Sequence, residues 1–163
     1  IGSREGSIER DEEELIRRVF TLNDMTARDI MTPWKVVDTL AADSAVEDTV
    51  KVVYDKPYSR YPVLDKEGTV VGICQTKDLL IALAKDHGSD TVREYMMPPH
   101  FVLETKRVDD LLAAFLASRY HLFIARDAAG KQVGVVTFED ALEQLVGEIV
   151  DETDEVVDLS KDH

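Results

Sequence analysis

The sequence has one cysteine, Cys74, no apolar run long enough to cross a bilayer, and far fewer basic than acidic side chains. Each shortage excludes something. A single thiol cannot close an intrachain disulfide, so a reducing compartment fits, and its place in an apolar run marks it as buried packing rather than a nucleophile. Without about 18 consecutive apolar residues there is no membrane-spanning helix, and no signal peptide is visible. With 19 Lys and Arg against 33 Asp and Glu the formal charge is −14, and such a field repels a nucleic-acid backbone or an anionic membrane surface. No nucleic-acid partner is expected. The opening Ile1-Gly2-Ser3 reads as the mark of a segment cut from a longer chain. The expected setting is cytoplasmic, as a soluble protein or as the cytoplasmic portion of an inner-membrane protein.

Histidine is scarce as well. His87, His100, His121 and His163 are scattered, with no cysteine at ligand spacing, so no metal site is expected. No nucleophile-and-base pairing and no glycine-rich phosphate loop occurs, which leaves no catalytic residue to name; the chain does not read as an enzyme.

What the chain does have is a duplication. Gly134-Val135-Val136-Thr137-Phe138-Glu139-Asp140 has a twin, Gly72-Ile73-Cys74-Gln75-Thr76-Lys77-Asp78, 62 positions earlier. The same offset relates Asp65 to Asp127, Gly68 to Gly130, Tyr58 to Tyr120 and Val46 to Val108. Upstream, Asp29-Ile30-Met31-Thr32-Pro33 answers Glu94-Tyr95-Met96-Met97-Pro98 at an offset of 65, so the copies differ there by about three residues. Two copies in one chain predict a pseudo-twofold module.

In each copy a glycine opens an apolar, β-branched run, and a helical pattern follows whose first turn carries an aspartate. Such a strand-to-helix joint gathers unpaired backbone N–H groups and the positive end of a helix dipole at one point, which suits a phosphate or sugar hydroxyls. The glycine reads as the removal of a side chain that would hold a ligand away. Thr137 can cap the helix or turn its hydroxyl to a phosphate, and Asp140 can accept from neighbouring ribose hydroxyls, or the two can serve only as cap and first-turn charge.

Taken in order, residues 1–25 form a linker and an amphipathic helix with Leu15, Ile16, Val19 and Phe20 on one face. Residues 26–85 make the first unit: a short helix from Thr26, a strand from Val36 to Leu40, and a helix opened by a capping box at Ser44 and Glu47. A hairpin around Asp65 to Gly68 and a closing helix complete it. A linker, 86–90, leads to the second unit, 91–150, with strands at 101–103, 122–125 and 132–137, a helix from Val108 and a last helix from Phe138. An acidic tail, 151–163, follows. Each unit reads β-α-β-β-α, so the fold class is α+β in α/β layers.

Two units of this size, each with a Met-(Thr)-Pro motif before it and a glycine-to-aspartate joint near its end, resemble a tandem pair of cystathionine β-synthase (CBS) domains, the Bateman module. Residues 13–20 ahead of the first motif and Gly147 to Glu152 after the last helix are more narrowly similar to the CorC/HlyC group, magnesium and cobalt efflux or hemolysin-like proteins related to the CNNM transporters. The resemblance implies a regulatory module that binds ATP or AMP between the units, with Mg²⁺ accompanying the triphosphate, and that relays occupancy to a membrane transport domain in cis or in trans. It also implies a homodimer. Carried over position by position, it implicates Thr32, Tyr58, Arg60, Pro62, Val136, Thr137 and Asp140. Tyr58 and Pro62 offer flat faces to a purine, Arg60 a cation or a stacking plane, and Thr32 a small polar contact. The duplication is asymmetric here, because Leu122, Ile124 and Gln75 stand where Arg60, Pro62 and Thr137 have their counterparts. One complete cleft is therefore expected. The alternative is a purely structural dimerisation module with an empty cleft.

Overall fold

The computed structural model of the chain describes residues 10–13, 24–55 and 58–152. Residues 10–13 are helical; Leu15, Ile16, Val19 and Phe20 of the expected amphipathic helix, and the acidic tail past residue 152, lie outside the described residues. Helix α1 (Ala27–Ile30) leads into β1 (Thr32–Pro33), followed by β2 (Leu40–Ala41), α2 (Val50–Asp55), β3 (Arg60–Leu64), β4 (Val70–Gln75) and α3 (Thr76–Ala84). The second run is β5 (Met96–Met97), β6 (Phe101–Leu103), α4 (Val108–Ala117), β7 (Leu122–Arg126), β8 (Gln132–Thr137) and α5 (Phe138–Glu152). Among the described residues no helix is long and apolar enough to cross a membrane.

The two hairpins form as the sequence predicts, and for the same reason in each copy. Gly68 and Gly130 turn the chain at φ of 83° and 86°, a left-handed conformation that costs glycine nothing. Asp65 Oδ1 accepts from the N–H groups of Glu67 and Thr69 at 3.0 and 2.8 Å. Asp127 does the same for Ala129 and Lys131 at 3.0 and 2.8 Å.

The sheets hold what periodicity could not reveal. One has the order β2-β3-β4-β5 and the other β1-β8-β7-β6. Strand β1 pairs antiparallel with β8, Thr32 opposite Val135 and Pro33 opposite Gly134. Strand β5 pairs in the same way with β4, Ile73 opposite Met97 and Cys74 opposite Met96. Each unit's Met-Pro motif thus closes the other unit's sheet. The flanking turns go with them: Ala27 is buried in the second unit's core beside Phe115, Phe123 and Val136, and Val92 in the first unit's core beside Tyr61, Cys74 and Leu79.

This exchange corrects the reading of the joint glycines. A Cβ at Gly72 would lie 2.5 Å from Met96 Sδ, and one at Gly134 would lie 2.6 Å from both Met31 Sδ and the Thr32 carbonyl oxygen. The missing side chains make room for the crossing strands, not for a ligand.

Two other local expectations give way. Trp34–Val36 is a 3₁₀ turn rather than the start of a strand, and only Leu40–Ala41 pairs, parallel to Val63 and Leu64. Trp34 and Val37 are drawn instead against a core between the sheets. Ser44 and Glu47 do not form a capping box, because Ala45 is the N-cap. The Val46 and Glu47 N–H groups are taken by the carbonyls of Asp90 and Gly88 at 2.8 and 2.9 Å. The linker between the units does the capping, and an N–H bonded to backbone leaves no donor for a side chain.

The inter-sheet core comprises Val70, Ile73, Leu122, Ile124 and Val135, with residues of both units around it. Gln132 clips the units together at its rim: its Oε1 accepts from the Val70 N–H at 2.6 Å and its Nε2 donates to the Gly68 carbonyl at 3.2 Å. Cys74 lies fully buried in β4, and burial, reinforced by the Asp78 charge, pushes its thiol up to about 12. At pH 8 the thiolate fraction is then on the order of one part in ten thousand. Iodoacetamide should leave the native protein unlabelled and modify it promptly in urea; rapid labelling of the folded chain would overturn this.

Candidate functional site

A cavity of about 310 Å³ opens between the units. Three stretches converge on it: residues 32–38 after α1, the loop and strand start from Tyr58 to Pro62, and the second unit's His121, Leu122 and the β8–α5 joint.

The Tyr58 loop is held from its own unit. The Thr76 hydroxyl donates to the Tyr58 carbonyl, the Thr76 N–H donates to the Ser59 carbonyl at 2.9 Å, and the Tyr58 N–H donates to the Tyr61 hydroxyl oxygen at 3.2 Å. Tyr58 sets its ring edge-on to Tyr61 with centroids 5.9 Å apart and keeps 56% of its surface exposed. An exposed aromatic on a pinned loop at a cavity mouth is a flat face awaiting a partner. Arg60 opens β3 opposite Gln75. Pro62 stands one residue before the stretch that β2 covers, where a strand tolerates a residue with no N–H.

At the joint, Thr137 and Asp140 cap each other. The Thr137 N–H donates to Asp140 Oδ2 at 3.1 Å and the Asp140 N–H donates to Thr137 Oγ1 at 3.0 Å. The bland reading of these residues as a cap is thus realised, yet each keeps capacity. Thr137 retains its hydroxyl proton, and Asp140 retains the oxygen not engaged with Thr137. Both line the cavity, at the N-terminus of a 15-residue helix.

Of the seven residues singled out in the sequence, Thr32, Tyr58, Arg60, Pro62, Thr137 and Asp140 line the cavity. Val136 does not. Its side chain is fully buried in the second unit's core, because successive strand residues point to opposite faces. Val135, which shares the face of Thr137, is the lining valine, and that parity was readable in the sequence. Also missed were Val36, Val37 and Asp38, which lie on the cavity wall. They run from the end of the 3₁₀ turn through the segment where the copies differ in length: six residues lie between Pro33 and Leu40, but three between Pro98 and its counterpart Val102. The three extra residues build a wall that the second copy lacks.

The lining is electrostatically lopsided. Among the described residues, Asp38, Glu139 and Asp140 contribute carboxylates to the lining, whereas Arg60 is its one Lys or Arg. Lys77 is exposed and is not among the lining residues, and the guanidinium of Arg126 lies over the Phe101 ring at 3.1 Å. The pseudo-symmetric joint differs as the sequence suggests. Gln75 makes no side-chain cap, and the Tyr120 hydroxyl is committed to the Pro98 carbonyl at 2.7 Å. An apolar slot with a guanidinium, a helix N-terminus and carboxylates has the chemistry to suit a ligand that is part flat ring, part polyol and part anion.

Comparison with known proteins gives the same outline. The family model for the CBS domain matches residues 27–85 and 92–147. A UPF0053 protein of Synechocystis sp. is 40% identical over 162 residues, which is 99% of this chain and 47% of the relative. The magnesium and cobalt efflux protein CorC of Vibrio cholerae is 37% identical over 149 residues, 91% of this chain and 51% of the relative. The chain therefore spans about half the length of these relatives. Among solved structures, the CBS domain of a bacterial CNNM/CorC family Mg²⁺ transporter in complex with ATP superposes with a TM-score of 0.78 at 32% identity, covering 84% of this chain and 98% of that one.

Proposed function

The chain belongs to the CBS-domain family, and on that footing we propose that it is a regulatory module that binds an adenine nucleotide, ATP or AMP, between its two units. The observation that carries this reading is the convergence of Thr32, Tyr58, Arg60, Pro62, Thr137 and Asp140, from both units, on one cavity. The purine takes the slot among Tyr58, Pro62 and the valines of the wall. The ribose hydroxyls bond Asp140, and the phosphates meet Arg60, Thr137 and the start of α5. The likeness to a CBS domain solved with ATP supports it. The module has no chemistry of its own to perform: occupancy biases how the units sit, and an attached or associated transport domain for magnesium or cobalt reads that bias from the cytoplasmic side.

The same reading includes a homodimer. Val50, Tyr54, Leu80 and Ile81 on α2 and α3 are 41–84% exposed, beside a groove of about 340 Å³ lined also by Val53, Leu79 and Leu83. A second copy would bury this face and the exposed Leu116 and Val146 of the other unit.

One set of measurements tests all of this. AMP, ADP or ATP should raise the melting temperature, calorimetry should give one site per protomer, and light scattering should give twice 18.3 kDa. Nucleotides that leave melting unchanged would favour a structural dimerisation module with an empty cleft, and two equal sites would overturn the asymmetry of the clefts.

A further inference from the structure

We propose that Gly134 is a positioning residue for this cleft, holding Thr32 and the wall behind it in place through its contact with the crossing strand; the inference rests on the nucleotide reading above. Gly72 and Gly134 are equivalent in the duplication, and neither has the positive φ that would itself demand glycine. Space alone excludes a side chain at both, but the obstacles differ. At Gly72 the three atoms nearest an added Cβ all belong to the Met96 side chain, Sδ at 2.5 Å, Cγ at 2.7 Å and Cβ at 2.9 Å. At Gly134 one of the three is the main-chain carbonyl oxygen of Thr32, at 2.6 Å, beside Met31 Sδ at 2.6 Å and Cγ at 2.9 Å.

That difference decides what a methyl group would move. At Gly72, rotation about the methionine's own bonds carries Sδ and Cγ aside, and the residual contact with Met96 Cβ at 2.9 Å shifts only β5, which does not line the cavity. A carbonyl oxygen moves only with its strand. Strand β1 is two residues long and pairs with β8 at Val135 and Gly134. Thr32 lines the cavity, and the chain beyond Pro33 runs through the 3₁₀ turn directly to Val36, Val37 and Asp38 on the same wall. A methyl at 134 therefore lifts the wall from the joint that carries Thr137 and Asp140. A methyl at 72 displaces Met96, and neither Met96 nor Met97 lines the cavity.

The test compares Gly134→Ala with Gly72→Ala, with melting followed by circular dichroism and AMP binding by calorimetry well below either transition. Gly134→Ala should weaken AMP by about tenfold or more, while Gly72→Ala stays within about twofold of the unaltered chain even where its melting loss is as large. Should Gly134→Ala fail to fold, Met31→Ala and Met96→Ala remove the crossing side chains without a clash, and only Met31→Ala should weaken AMP. Equal losses in the paired variants, or unchanged affinity in the Gly134 and Met31 variants, would overturn the proposal. If the unaltered chain binds no nucleotide, the nucleotide reading fails on its own. The positioning is then read from amide spectra: the Thr32, Val36 and Val37 signals should shift in Gly134→Ala and hold in Gly72→Ala, and unshifted signals would overturn it.

Discussion

ATP should bind at least about tenfold more tightly in millimolar Mg²⁺ than in EDTA at constant ionic strength, while AMP changes by no more than about twofold. The expectation comes from the charges on the cavity wall. Among the described residues, Asp38, Glu139 and Asp140 stand against the single guanidinium of Arg60, and this chain carries −14. The N-terminus of α5 offers the equivalent of about half a positive charge, too little for a triphosphate. A divalent cation makes up the deficit, since Mg²⁺ is held by phosphate oxygens, water and one or two carboxylates rather than by an all-protein cage. Glu139, exposed in the first turn of α5, is placed to meet such a hydrated ion. AMP brings less charge and needs less help. Titration of both nucleotides under the two conditions settles the matter. An ATP affinity indifferent to the metal would mean that protein groups outside this lining neutralise the phosphates.

Replacing Asp140 should separate its two duties. Asp140→Ala removes the cap on the Thr137 N–H, at a cost of about 1 kcal/mol in stability, and removes the ribose acceptor, at about 1–3 kcal/mol in nucleotide affinity. Asp140→Asn keeps one amide oxygen for the cap but presents an NH₂ group where a second acceptor stood. It should melt close to the unaltered chain and still lose affinity. Thr137→Ile should lose both, for it keeps the branched shape and discards the hydroxyl, whereas Thr137→Ser should restore both. Calorimetry and thermal melts on the four variants suffice. If affinity follows melting temperature across the set, these residues act only as a cap, and the ribose and phosphate contacts lie elsewhere.

The sequence-legible part of this molecule is the part in which information is local. Asp65 with Gly68 and Asp127 with Gly130 declare their turns through side-chain acceptors and a φ open to glycine, and the β-branched runs on either side declare strands. The closing helices follow from the spacing of Leu79, Leu80 and Leu83 and of Ala141, Leu142 and Leu145. What stayed hidden was decided by partners far along the chain. A two-residue strand such as Thr32–Pro33 has no period to detect, and its partner lies about a hundred residues away. Ser44 and Glu47 have the composition of a cap, but the Asp90 and Gly88 carbonyls reach the same N–H groups first. Val36 to Leu40 is β-rich by composition, yet the chain spends most of it crossing between sheets. In the candidate site, six residues came from matching motifs. The seventh, Val136, misses by one position because a motif names a neighbourhood while strand parity picks the face. Asp38 and the valines before it were invisible as ligand contacts, although the three-residue length difference marked the place.

The exchange of β1 and β5 has a consequence for the chain as it is being made. Synthesis runs from the N-terminus, and the first sheet lacks its last strand until Met96 and Met97 leave the ribosome, so β4 waits with an open row of N–H and C=O groups. The wait at the other end is longer: Thr32 and Pro33 emerge early and have nowhere to lie until Gly134 and Val135 arrive. The first-born strand is the last to be placed. Neither half can finish as a unit on the way out, contrary to the usual domain-by-domain order, and closure across so long a loop is slow. A nascent chain stalled between the two copies would display an unsatisfied sheet edge, the feature that chaperones and aggregation compete for.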